Sequence, residues 1–281
     1  MGNVRGKIRA LSLAVAAALG FSFCMVGISR AGVSDFLPGE LHGFADVRGG
    51  LRTQTDPHEG DTSLAEGRLQ LDLMHVGDLV TLQLRADFLY DNATEETNGD
   101  LESGAGTIDL REANALVSPL DFMDIKLGRQ VLTWGTGDLV FINDLFPKDW
   151  QSFFLGRDDE YLKAPSDALL ISLFPGAFSI DLAYSPQFDP DRYVRGERLS
   201  YWNPYLGARA GRNAVIVPDM PDDWFSDDEI ALRVSGTLTG YEWAFYGYDG
   251  FWKSPEGTDS ATMVATFPEL TVVGASLRGA L

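Results

Sequence analysis

Hydrophobic and polar residues alternate with a period of two along most of the chain beyond residue 40. Between His75 and Asp91 the pattern is clearest. Val80, Leu82, Leu84, Ala86, Phe88 and Tyr90 fall on one side of an extended chain, and Thr81, Gln83, Arg85 and Asp87 on the other. The stretch before it does the same, with Leu69, Leu71 and Leu73 against Arg68, Gln70 and Asp72. Ten such segments are read: 41–53, 66–75, 79–90, 107–118, 122–133, 167–174, 178–185, 229–238, 241–250 and 271–281. Most are close to the length a tilted strand needs to cross a bilayer. Helical periodicity is nowhere convincing. In 107–118 the pattern changes sides near Arg111-Glu112, which predicts a β-bulge.

The connections carry more information than the strands. His75-Val76-Gly77-Asp78, Ser118-Pro119-Leu120-Asp121, Pro175-Gly176-Ala177 and Thr239-Gly240 are tight turns. Between them lie long connections at 54–65, 91–106, 134–166, 186–228 and 251–270, so short and long alternate along the chain. A transmembrane barrel has this layout, with short periplasmic turns and long outer loops. A soluble sandwich also alternates inside and outside residues, but has no reason to gather every long loop at one end. Phe88 and Tyr90 at one strand end, and Phe174, Phe178, Tyr241 and Trp243 near tight turns, fit aromatic girdles at two interfaces. The expected fold is all-β: an antiparallel up-and-down transmembrane β-barrel with about ten visible strands, either a small barrel or part of a larger one.

The first 31 residues are set apart. Arg5, Lys7 and Arg9 precede an apolar run from Leu11 to Ile28, and Ser29-Arg30-Ala31 places small residues where a signal peptidase reads. This predicts a secretory signal peptide at 1–31 and a barrel domain at 32–281, destined for a bacterial outer membrane. Cys24, the only cysteine, lies in the apolar run with Phe23 before it, which does not suit a lipoprotein site. The chain therefore has neither a disulfide framework nor a cysteine metal site. With 22 basic and 41 acidic residues it carries a net charge of −19, which argues against nucleic acid as a partner.

The run Lys126-Leu127-Gly128-Arg129-Gln130-Val131-Leu132-Thr133-Trp134-Gly135 is distinctive. It follows Asp109-Leu110-Arg111-Glu112-Ala113 and precedes Ile142-Asn143-Asp144-Leu145-Phe146-Pro147-Lys148-Asp149. Glu229-Ile230-Ala231-Leu232-Arg233 and Tyr246-Gly247-Tyr248-Asp249-Gly250 come later. This succession, over roughly 107–281, resembles proteobacterial outer-membrane porin-like barrels, including relatives of alginate-export porins. Phe146 stands where an Asn before the Pro would be typical. The resemblance implies passive transport across the outer membrane and fixes no substrate. Barrels of that kind usually have more strands and end in an aromatic residue, whereas this chain ends at Leu281.

Within such a barrel the polar sides of the strands face the lumen. The candidates are Asp46, Arg48, Arg68, Asp72, Arg85, Asp87, Asp109, Arg111, Lys126, Arg129, Gln130, Arg233, Glu242, Ser276 and Arg278. Charges of both signs either select small solutes or pair across the lumen and fill it. Loop 134–166, with Phe141, Trp150, Phe153 and Phe154, either folds inward as a constriction or lies outside as a lid. Loop 186–228 brings Arg192, Arg195, Arg198, Arg209 and Arg212 together with Trp202 and tyrosines. Arginine forks suit carboxylate and phosphate, so an anionic solute or lipopolysaccharide phosphates are candidate partners. The plainer reading is that these arginines neutralise acidic neighbours. The acidic groups in 91–102 and 219–228 match no defined calcium loop, and no metal or cofactor is expected. His58, beside Glu59 and Asp61, is the one candidate for an enzyme of the outer-membrane protease kind, and no catalytic set is expected. The leading expectation is a porin-like channel for small or anionic solutes, self-associating or not. The alternative is a small closed barrel with a structural or adhesive role.

Overall fold

A computed structural model of the chain describes residues 39–91, 101–104, 106–134 and 141–279. The leader expected at 1–31 and Leu281 lie outside the described residues, as do Gly135 and the acidic residues Glu95, Glu96 and Asp100. In chain order the strands are β1 (Glu40–Leu51), β2 (Thr62–Val76), β3 (Thr81–Asp91), β4 (Ile108–Leu120), β5 (Met123–Val131), β6 (Pro165–Leu173) and β7 (Phe178–Ser185). They continue with β8 (Tyr201–Asn203), β9 (Ala208–Ala210), β10 (Glu229–Leu238), β11 (Tyr241–Phe251), β12 (Gly257–Thr258), β13 (Ala265–Thr266) and β14 (Glu269–Arg278). Among the described residues between β5 and β6 lie a helix, α1 (Trp150–Leu155), and a 3-10 turn (Asp159–Leu162).

Ten strands form one antiparallel sheet in the order β1-β2-β3-β4-β5-β6-β7-β10-β11-β14. Each is paired with its sequence neighbour among the long strands, and all ten were legible as alternating segments. The sheet is not closed: β1 and β14 are its two edges. The two small hairpins, β8–β9 and β12–β13, lie inside long connections and escaped the sequence reading because two or three residues show no period.

The predicted bulge falls in β4. Register shifts between Arg85 and Ala86, with Arg85 opposite Glu112 and Ala86 opposite Leu110, leaving Arg111 as the extra residue. Two successive polar residues can thus stand on one side of the strand.

The two faces of the sheet are inverted relative to a soluble sandwich. The charged side is buried: Glu66, Arg68, Gln70, Asp87, Asp109, Arg111, Glu112 and Gln130 all lie beneath other parts of the chain. The apolar side is bare, with Val273 86%, Leu127 60%, Phe245 60%, Leu84 48% and Leu82 46% exposed. These are the covered face and the bare face below. Phe88, Tyr90, Phe178 and Tyr241 stand toward the strand ends of the bare face and are exposed as well. Isolated exposed apolar residues are ordinary, but an apolar row repeated along most strands of a sheet is a surface awaiting a partner.

Candidate functional site: the covered polar face

The covered face divides into two halves. Over β6, β7, β10 and β11 it carries small residues, Ala168, Ala183, Ala231 and Ala244, followed by Tyr246 and Tyr248. Ala183 and Ala231 are direct cross-strand partners. Short side chains there leave room for the start of the β5–β6 connection. Trp134 and Phe146 pack edge to face with ring centres 4.8 Å apart, and Leu132 joins them. Among the described residues this is the extensive apolar cluster on the face, and it seats the root of the inserted segment.

Over β1 to β5 the face is charged. The segment from Lys148 to Lys163 crosses it. Asp149 caps α1, accepting from the Ser152 amide at 2.7 Å and from the Ser152 hydroxyl at 2.8 Å. Gly156 ends the helix at φ 72°, a conformation glycine takes without strain. The chain then turns back so that Tyr161, 2% exposed, lies on the sheet. The Arg68 guanidinium sits 4.0 Å from its ring centre and that of Arg111 4.9 Å. Gln70 donates to the Tyr161 hydroxyl at 2.9 Å. Gln70 is midway along β2, so the segment reaches well down the strands from the end where the long connections gather. Burial pushes the Tyr161 hydroxyl up, and it stays neutral.

Arginines bind this segment to the sheet. Arg48 donates to the Gly156 carbonyl at 2.9 Å and to Asp158 at 2.7 Å. Arg111 donates to the Lys163 carbonyl at 2.8 Å and to that of Glu160 at 3.2 Å. Arg157, from the segment, returns to Glu66 on β2. Arg68 bonds Glu66 and Asp87, and Gln70 also donates to Asp87 at 2.9 Å. Further along, Arg85 bridges Asp72 at 2.7 Å and Glu112 at 3.2 Å, with Lys126 3.7 Å from Glu112. The outcome is a mesh of alternating charge. Lone charges buried this deeply would be very costly, and pairing is what makes the mesh tenable.

Of the other pore-lining candidates, Gln130 faces the sheet's backbone and donates to the Ala168 carbonyl at 2.9 Å. Arg129 alternates with Gln130 and so falls on the other side of β5 with Leu127. It pairs with Asp167 at 2.9 Å and donates to the Leu110 carbonyl at 2.7 Å. Gly128 has φ 116°, and a Cβ there would stand 2.3 Å from the Ala113 carbonyl oxygen. The Gly-Arg-Gln run is thus explained by strand contact. Arg233 is 3.9 Å from Asp181, and Arg278 pairs with Glu242 at 2.6 Å at the short-turn end, away from the mesh.

The five loop arginines disperse. Arg192 joins the buried network: it donates to Asp109 at 2.7 and 3.0 Å, to Asp149 at 3.3 Å and to the Glu102 carbonyl at 2.7 Å. Burial opposes its charge, but Asp109 and Asp149 hold its pKa above the ordinary arginine value. Arg195 pairs with Glu197 and Arg198 with Asp91. Arg209 lies 3.6 Å from Asp56, and Arg212 3.4 Å from Glu59. Arg198 and Arg212 meet Arg52, Glu59 and Asp61 around a polar cavity of about 200 Å³ at the long-connection end of β1 and β2. Burial pushes the Glu59 carboxyl up despite Arg212 and Arg52. Trp202 is exposed and its strand neighbour is Arg209. His58 donates its backbone amide to Asp56, and His42 sits 3.5 Å from Glu40, with no shared site between the two histidines. Among the described residues no group of His, Cys, Asp and Glu is arranged to hold a metal ion.

Sequence reading missed Tyr161, Asp149, Arg157 and Glu66. The Asp149-x-x-Ser152 cap followed by Gly156 was a usable signal for α1, but a six-residue helix is too short to show its period. No helix among the described residues is long and apolar enough to cross a membrane, which leaves strand-built spans open. No protein-family model matches the chain, and no curated protein matches it.

Proposed function

We propose that the sheet is the wall of an outer-membrane β-barrel and that the chain is a porin-like conduit for passive movement of small polar solutes. The observation that carries this reading is the inversion of the sheet, with charges buried on one face and an apolar row bare on the other. In water that arrangement discards the hydrophobic effect. In a bilayer it satisfies it, because lipid takes the apolar face and the strands' polar side lines an interior. The alternation of short turns and long connections supports the same reading, as does the resemblance of the Gly128-Arg129-Gln130 to Trp134 stretch to porin-like barrels.

The reading requires the edges β1 and β14 to be paired, since open strand edges are not tolerated in hydrocarbon. The segment around Tyr161 then acts as a constriction lying along one wall. Each loop arginine has a carboxylate beside it, so the outer connections supply no strong positive field, and charge selectivity rests on the wall. Planar-bilayer recording tests the function. Discrete conductance steps, with a larger step once residues 141–160 are deleted, are expected. A folded protein that passes no ions in either form would reject it.

A second reading is favoured by one observation, the nearly complete pairing of charges in the mesh around Tyr161. It is a closed barrel whose interior is filled, serving a structural or adhesive role. Silence in the same recording, with the protein folded, is its outcome.

A further inference from the structure

The turn between β9 and β10 presents Trp224 and Phe225 side by side, ring centres 5.9 Å apart, 59% and 69% exposed. Exposure of two adjacent large aromatics in a loop this acidic is unfavourable in water, and the chain holds them there at some cost. Phe225 has φ 62°, a conformation bulky residues rarely take. The turn is fixed from both sides. The Phe225 amide donates to the Pro186 carbonyl at 2.8 Å, just past β7. Asp223 accepts from the Asp227 amide at 2.9 Å, and its own amide donates to the Asp227 carboxylate at 2.9 Å.

Two further bonds locate the turn relative to the sheet. Gln187 donates to the Asp222 carbonyl at 2.9 Å, and Tyr184 donates its hydroxyl to Asp228 at 2.9 Å. Tyr184 alternates onto the bare face, where its cross-strand partner is Ile230, itself exposed. The aromatic pair therefore sits at the long-loop end of β7 and β10, tied to the last residues of the bare apolar row.

We infer that Trp224 and Phe225 form a lipid-interface anchor donated by a loop, which extends the bare face by one aromatic step into the headgroup region of the outer leaflet. The occupant is a lipid surface, because the turn is bonded to Tyr184 at the end of the bare apolar row. Tryptophan suits this depth, having an apolar body and a polar N–H. The Tyr184–Asp228 bond ties the turn to the bare-face side of β7. This rests on the barrel reading above, and the test separates the two.

The test uses nitroxide labels in the full chain carrying Cys24→Ser, folded into phosphatidylcholine vesicles. Labels are placed one at a time at Phe225→Cys, Trp224→Cys, Val273→Cys on the bare face and Trp202→Cys in the exposed β8–β9 hairpin. Collision with oxygen and with a water-soluble nickel chelate reports depth. The expected result is loss of nickel access at 225 and 224, approaching that at 273, while 202 remains fully accessible. Nickel access at both 224 and 225 equal to that at 202, with 273 protected, would overturn the anchor and leave the barrel standing. Full nickel access at 273 would overturn the barrel and the anchor together.

Discussion

The guanidinium of Arg68 lies 4.0 Å from the centre of the Tyr161 ring, and Arg68 is at the same time held by Glu66 and Asp87. One residue from the β5–β6 connection thus rests on a charged cluster built by β2 and β3. Replacing Tyr161 with Ala removes a buried ring and uncovers two guanidinium faces, and should cost about 3–5 kcal/mol. Tyr161→Phe keeps the ring and loses the bond from Gln70 and the hydroxyl's interaction with Asp87, at about 1–2 kcal/mol. Urea titration of the folded protein checks both, and equal losses would show that the ring contact carries nothing.

Arg192 is the cation on which the inserted segment and β4 meet. Arg192→Leu leaves Asp109 and Asp149 buried without it, and should cost about 3–5 kcal/mol. Asp149 also caps α1, so proteolysis after Arg157 should rise in parallel. Pairing Arg192→Leu with Asp109→Asn should recover part of the loss. Strict additivity in this cycle would mean the pair is not coupled.

The Asp189 carboxyl, in the connection after β7, is pushed up to about 6 by burial, against the pull of Lys253 and of the Asp167 amide that it accepts at 3.0 Å. Its folded value is above the ordinary 3.8, so the folded state holds a proton that the unfolded chain has released. The contribution is full below about pH 4 and is lost as pH rises through about 6. Asp189→Asn should raise stability near pH 8 by roughly 2–3 kcal/mol and change little at pH 4. A urea midpoint measured across this range that falls equally in both proteins would remove Asp189 as the cause.

On the bare face, Val273→Arg distinguishes lipid from water. In a lipid-facing sheet an arginine near the bilayer midplane costs about 2–4 kcal/mol. On an exposed strand in water the same change is worth within about 0.5 kcal/mol. Folding yield into vesicles should drop for Val273→Arg and remain normal for a serine at the same position.

Much of this architecture was legible because β-structure writes its faces into alternate residues. The ten long strands and the bulge at Arg111 came from that alternation alone, and both depend on local pattern. What remained hidden was non-local. Nothing near Tyr161 announces that Arg68 and Arg111 will flank it, and the loop arginines looked like one cluster until the fold sent Arg192 inward and the others to separate carboxylates. Arg129 and Gln130 are adjacent in β5, so strict alternation places only one of them on the covered face. The alanines over β6, β7 and β10 read as ordinary strand residues, and their role as a seat for Trp134 and Phe146 appears only once the strands are side by side.

Strands that form a closed, lipid-embedded wall with its charges inside resist SDS until they are heated. The most direct measurement is gel mobility of the full chain, folded into phosphatidylcholine vesicles and run in SDS with and without boiling. A compact, faster band that persists until boiling converts it to the unfolded position is expected. A single band at the unfolded position under every folding condition would contradict it.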